Sequence, residues 1–416
     1  MSSDRTTDHT GRSGVSRRGL LFGGAVAGIG AAAAVGADVL LNRSQPESAS
    51  SRSRDAAAAL HGNETVDYYG THQAGIATTP QAHATFVALD LHAETDRAAL
   101  RRMMQILTED AARLTQGEPA LADSEPELVT VPARLTVTFG FGPEFVTRAA
   151  GSGALPAWLG PLPAFTIDRL EAAWNDGDLL LQIASDDAFT VAHATRMLLK
   201  DARSFASVRW TQAGFRRAIG SEKPGTTMRN LFGQVDGTTN PSPDDDDFAQ
   251  LVWANGGWLA GGTSFVLRRT HMNLDKWDRL DRSGREQSVG RTLANGAPLT
   301  GVHEHDEPEF EAKTSIGFPV IPEFSHIRRA RSENTDERIF RRAYNYDHAP
   351  AGAEISDSGL LFVSYQADVT KQFVPIQRRL DELDLLNEWT TPIGSAVFAI
   401  PPGCAEGGYI GETLLA

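Results

Sequence analysis

Two patterns predict an α+β fold built from a duplicated split βαβ unit with antiparallel sheets. Between residues 65 and 225, apolar stretches rich in β-branched and aromatic residues alternate with amphipathic stretches of helical period. A looser version of the same alternation runs through residues 226–416. With 416 residues, 41% hydrophobic and 22% charged, the chain is long enough to bury a large core.

In the first half, strands are expected at 84–91, 135–139, 178–183 and 207–215, with helices at 97–114 and 188–205. The order strand, helix, strand, strand, helix, strand is that of a ferredoxin-like unit. In the second half, strands are expected at 257–268, 359–366 and 395–400, and helices at 274–281 and 371–386. Long irregular insertions separate them, the longest at 287–354, and insertions of that length inside a domain are commonly functional. The two halves are expected to pack into one body.

Residues 1–37 have a different character. A polar head leads to Ser16-Arg17-Arg18-Gly19-Leu20-Leu21 and then to an apolar run ending at Ala37. Nineteen apolar residues could just span a bilayer, but six glycines and seven alanines make this run weakly hydrophobic. With the paired arginines before it and the small residues Val35-Gly36-Ala37 at its end, it reads as a cleaved twin-arginine signal. Residues 38–64 read as a linker. The expected destination is periplasmic or extracellular, reached by a route that carries folded proteins.

Composition excludes several classes. The formal charge is −14, and because the first 37 residues hold four Arg and two Asp, the remainder carries −16, which disfavours nucleic acid as a partner. The single cysteine, Cys404, rules out an internal disulfide, a cysteine zinc site, an iron–sulfur ligand set and covalent haem attachment through C-x-x-C-H. The acidic run 244–247 lacks the Gly and terminal Glu of an EF-hand loop, and His303-Glu304-His305 in a charged loop reads as solvated. His72 and His83 read as surface or satisfied core residues.

The residues that carry chemistry lie in the second half. The segment Arg-Asn-Leu-Phe-Gly-Gln-Val-Asp-Gly-Thr-Thr-Asn-Pro at 229–241 contains Gly233-x-x-Asp236-Gly237, which alone is a turn. It is accompanied by His326 in Ser-His-Ile-Arg, by Arg341-Arg342, and by Glu388 in Leu-Asn-Glu-Trp. These types suit a site that cleaves peroxide. An imidazole can ligate iron while a carboxylate orients its other nitrogen, a second carboxylate can shuttle a proton, and a guanidinium can stabilise the departing oxygen.

At this point the sequence resembles the dye-decolourising peroxidases, in the exported twin-arginine branch that includes deferrochelatase-like proteins. The likeness runs from Tyr69-Gly70-Thr71-His72-Gln73-Ala74-Gly75-Ile76, through Asp178-Leu179-Leu180-Leu181-Gln182-Ile183 and the 229–241 motif, to Gly359-Leu360-Leu361-Phe362-Val363-Ser364-Tyr365-Gln366. It implies one non-covalent haem b in the C-terminal half, with His326 as proximal ligand and Asp236 as distal acid–base residue. It further implies Arg341 as distal arginine with Arg342 as the alternative, and Glu388 as the acidic partner of the histidine. Leu360 and Phe362 would share the apolar distal wall, and Gly237, Thr238 and Arg291 would touch the haem edge. Where the family often reads His-Ile-Arg-x-Ala-Asn-Pro, this chain has Arg331-Ser332 in the last two places, so propionate contacts are not carried over there.

The implied activity is reduction of hydrogen peroxide with one-electron oxidation of bulky dye-like or phenolic reductants. The alternative is an exported haem-binding deferrochelatase serving iron acquisition. Iron-uptake proteins and further copies of the chain are the remaining candidate partners. A haem-free binding module is the third reading, since fold does not fix function.

Overall fold

A computed structural model describes residues 60–350 and 355–416. The expected signal at 1–37, and the expected linker up to residue 59, lie outside the described residues. His61–Ala416 form one compact unit.

In the first half, β1 (His83–Leu91), α1 (Arg97–Thr115), β2 (Thr136–Phe141), α2 (Pro143–Ala150), β3 (Leu179–Ser185), α3 (Ala188–Ala202) and β4 (Ala206–Phe215) follow in order. Asp96 starts α1 and Asp187 starts α3, each carboxylate accepting a backbone N–H three residues on. Buried Leu100, Met103, Met104, Leu107, Ala111 and Leu114 make one face of α1, which packs with α3 against the sheet. The strands lie in the order β2-β3-β1-β4, all antiparallel, as a ferredoxin-like unit requires.

The second half contains α4 (Phe248–Val252), β5 (Thr263–Met272), α5 (Leu274–Trp277), α6 (Arg282–Val289), α7 (His326–Ala330), β6 (Phe340–Arg341), β7 (Tyr344–His348), β8 (Asp357–Gln366), α8 (Phe373–Leu383) and β9 (Thr390–Ile400). Here β8 lies between β5 and the short pair β6/β7, and β5 pairs with β9, which repeats the order of the first half. Strands β6 and β7 fall inside the stretch expected to be irregular. The helix expected at 274–281 is the short α5, followed by α6, and the strand expected from 257 begins only at Thr263.

The half-sheets join twice, at Phe141↔Ala399 between β2 and β9 and at Phe215↔Asn345 between β4 and β7. With β5 paired to β8, the strands close a hydrogen-bonded ring. Phe86, Phe265, Leu267, Tyr344, Leu361, Val363, Tyr365 and Phe398 fill one core, and the helices of the first half cover another.

An acid pair, buried Asp110 on α1 and half-buried Asp201 on α3, links the two helices. Burial and the neighbouring Asp110 push the Asp201 carboxyl up to about 7. A raised carboxyl means that the folded state keeps a proton the unfolded chain releases, so stability falls as pH rises from the ordinary carboxylate range through about 7. Asp201→Asn is therefore expected to raise the thermal midpoint at pH 8 and leave it unchanged at pH 4, where both forms are neutral. An equal shift at both values would show that the charge is not the cause.

Candidate active site

The proximal side is built around α7. Ser325 precedes the helix, which places His326 at its first position. Gly290, which ends α6 at φ +87°, sits against Ile327; a Cβ there would lie 2.7 Å from Ile327 Cγ1, so this close approach needs glycine. Ion pairs Arg329–Glu382 and Arg379–Glu337 tie α7 and the turn before β6 to α8.

His326 Nδ1 donates to Asp384 Oδ2 at 2.6 Å, and Nε2 has no hydrogen-bond partner among the described residues. Asp384 is buried, and its other oxygen caps the turn after α8 by accepting the Leu386 N–H. The Leu385 N–H bonds to Phe324 O, fixing the turn beside the histidine. Burial, the largest single influence, pulls the imidazole pKa down. The charge and hydrogen bond of Asp384 outweigh it, and the net shift is upward.

This corrects the expected partner. Glu388 is exposed and pairs with Lys276 at 2.8 Å, because α8 ends at Leu383 and the chain enters a 3-10 turn whose last residue faces solvent. Asp384→Asn is expected to weaken haem affinity about 10–100-fold, as loss of such an orienting carboxylate typically does. Glu388→Gln is expected to leave it unchanged, read by haem titration of the apoprotein. Equal effects from the two would overturn the assignment.

On the other side, Arg341 Nη1 donates to Asp236 Oδ1 at 2.9 Å. Asp236 is held by its own N–H to Met228 O and by the Arg229↔Val235 bridge, while Gly237 turns the chain at φ 133°. Asn230 Nδ2 approaches the second oxygen of Asp236 at 3.4 Å. Asn240 clamps the arginine from its backbone, accepting the Arg341 N–H at 2.6 Å and donating to Arg341 O at 3.0 Å. Asn240 and Asp384 are the two residues of this arrangement that sequence reasoning missed.

Strand register separates the two arginines. Arg341 lies opposite Ser364, so its side chain projects from the same face as Leu360 and Phe362. Both of those are half-buried, whereas Leu361 and Val363 on the other face are fully buried. Arg342 points the opposite way and donates to Ile76 O, Thr78 O and Gln81 Oε1 inside the ring. Of the two arginines it is therefore Arg341 that pairs with Asp236.

Thr238 Oγ1 donates to Glu304 Oε1 at 3.0 Å, and the buried Arg291 donates to Gly296 O and Glu304 O, so both hold the 296–304 loop beside the Asp236 turn. Arg331 pairs with Glu307. Asp306 accepts the backbone N–H of Val302 and His303, which makes the His-rich segment a turn, and His305 is 74% exposed. Among the described residues, no group of three or more His, Cys, Asp or Glu is placed to hold a metal ion.

The two pairs lie near one another: the charge of Asp236 raises and that of Arg341 lowers the pKa of His326, and about a third of the His326 side chain is accessible. An unpartnered Nε2 backed by a buried carboxylate, a nearby carboxylate–guanidinium pair and a half-buried apolar wall fit an iron porphyrin.

Comparison with known proteins agrees. Residues 73–216 match the N-terminal and residues 227–405 the C-terminal description of the Dyp-type peroxidase family. The chain is 36% identical to the dye-decolorizing peroxidase of Thermobifida fusca over 428 residues, covering 99% of each. It is 35% identical to the deferrochelatase of Escherichia coli K12 over 379 residues, covering 85% of this chain and 88% of that one. A DyP-type peroxidase structure from Cellulomonas bogoriensis superimposes with a TM-score of 0.83 at 56% identity, covering 86% of this chain and 99% of the other. Ferric DtpA from Streptomyces lividans gives 0.82 at 39% identity, covering 85% and 98%. The chain belongs to the Dyp-type peroxidase family and is a haem peroxidase.

Proposed function

We propose that this peroxidase is exported by the twin-arginine route, reduces hydrogen peroxide with Asp236 and Arg341, and oxidises bulky dye-like or phenolic molecules one electron at a time. The observation that carries the reading is the proximity of the Asp236–Arg341 pair to the His326–Asp384 pair, whose charges reach the same imidazole. His326 Nε2 would hold the haem iron, and the haem supplies the two oxidising equivalents that peroxide delivers.

The rest of the chemistry belongs to the chain. The Asp236 carboxylate takes a proton from bound peroxide and returns it to the departing oxygen, which leaves as water. The Arg341 guanidinium faces the charge that develops on that oxygen, and the backbone clamp from Asn240 keeps it there without reorganisation. Asp384 holds the imidazole in the tautomer that presents Nε2. Leu360 and Phe362 make the wall apolar, which limits the water that competes for the proton.

The test is the absorption spectrum with and without peroxide. A Soret band that changes within one turnover on peroxide addition supports the reading, and a band indifferent to peroxide overturns it. A second reading is favoured by the relatives named deferrochelatase: haem iron is released for uptake, and loss of iron with intact porphyrin is its signature. For export, replacing Arg17 and Arg18 together by Lys is expected to leave the protein in the cytoplasm, scored by cell fractionation. Normal export of the double variant would sink that assignment.

A further inference from the structure

Residues 165–171 belong to the first half, in the connection between α2 and β3, yet they lie across the second half. The Arg169 N–H donates to Pro392 O at 2.9 Å and the Glu171 N–H to Ile393 O at 2.8 Å, so the segment runs along the start of β9. Arg268 of β5 is buried and pairs with Asp168, and its guanidinium lies over the Phe165 ring at 5.6 Å. Strand register puts Arg268 opposite Phe362, on the face that carries the half-buried apolar wall. The segment is therefore a strap, pinned by backbone and by charge to the sheet on which the candidate site is built.

The strap also grips α8. Asp381 accepts three hydrogen bonds from it: the Thr166 N–H at 3.0 Å, the Thr166 hydroxyl at 2.8 Å and the Ile167 N–H at 3.0 Å. Burial pushes the Asp381 carboxyl up, but these bonds and the charge of Arg268 together hold it below the usual carboxylate range, so it is charged at neutral pH. From α7 a second set of bonds holds the same helix: Arg329 Nε donates to Arg379 O at 3.1 Å, and Arg329 pairs with Glu382 at 3.0 Å. Asp384 stands three residues beyond Asp381, where the helix ends, and accepts from His326 at 2.6 Å. The length and angle of that bond depend on where α8 ends, and a hydrogen bond weakens steeply once misaligned.

We propose that the strap is a positioning device for the proximal pair, with Asp381 as its positioning residue: by fixing the end of α8 it sets the strength of the Asp384 hydrogen bond to His326, and through that bond the reduction potential of the haem iron. This rests on the reading of His326 as the iron ligand. A carboxylate that accepts the Nδ1 proton gives the imidazole anionic character and makes it a more basic ligand, which favours ferric over ferrous iron. Slackening the strap loosens that bond without altering the imidazole or the Asp236–Arg341 pair.

The test uses the haem-loaded protein and two readouts other than turnover: the ferric–ferrous midpoint potential by spectroelectrochemistry, and the iron–histidine stretching frequency of the ferrous form by resonance Raman. Asp384→Asn removes the charge from the bond and is expected to raise the potential and lower the frequency. Asp381→Ala is expected to shift both in the same directions by a smaller amount. Thr166→Val removes only the hydroxyl bond, from an exposed residue, and is expected to shift them by less again. In the Asp384→Asn background, Asp381→Ala is expected to add nothing, because the neutral amide leaves no carboxylate for the strap to position. A general loosening of the fold would add its effect in both backgrounds. Parent-like values in Asp381→Ala, or a shift of equal size with and without the Asp384 carboxylate, overturns the proposal. Should Asp381→Ala fail to fold, Thr166→Val decides it by the same comparison. An Asp384→Asn protein that matches the parent in both readouts removes the proximal assignment itself, and the role of the strap falls with it.

Discussion

His326→Ala protein is expected to purify folded by circular dichroism but with its Soret band reduced more than tenfold. Haem affinity depends on the iron–imidazole bond, and losing even the group behind such a ligand costs about 10–100-fold. The substitution also strands Asp384, a buried carboxylate whose hydrogen bond from Nδ1 disappears, so some loss of thermal stability is expected alongside. Changing His303 or His305 in the same way is expected to leave the band intact, since Asp306 shapes that turn through backbone groups. Full haem occupancy in His326→Ala would assign the ligand elsewhere.

The second large effect is expected at the distal pair. Arg341→Leu removes the guanidinium that faces the developing charge, and losing one donor of this kind typically slows the step by about two to three orders of magnitude. Asp236→Asn keeps the shape but cannot accept a proton, and it also loses the charge that Arg341 pairs with. Both variants are expected to retain haem. Stopped-flow mixing with peroxide reads both: formation of the oxidised species is expected to be slower in each variant than in the parent. Parent-like rates in both variants would move peroxide cleavage away from this pair.

The sequence carried the elements with strong local patterns. The first-half strands and helices have clean apolar periods, and Asp96 and Asp187 mark two helix starts, so β1 to β4 emerge close to their observed bounds. Strands β6 and β7 were hidden because β6 is two residues long and Arg342-Ala343 interrupts it before β7, too short a run for any period. Asp236, His326 and Arg341 were recognisable by motif, and the structure brings them near one another. Asp384 was not, because choosing between it and Glu388 requires knowing where α8 ends. Nor was Asn240, whose role is a contact with a strand about a hundred residues away.

The closed ring of strands has a consequence for fragments of this protein. Severed between 216 and 227, the C-terminal piece would keep Asp236, His326, Arg341 and Asp384 yet expose the edges of β7 and β9 that β4 and β2 now cover. Bare strand edges template pairing with other chains. The first half therefore serves the second as a cover against self-association.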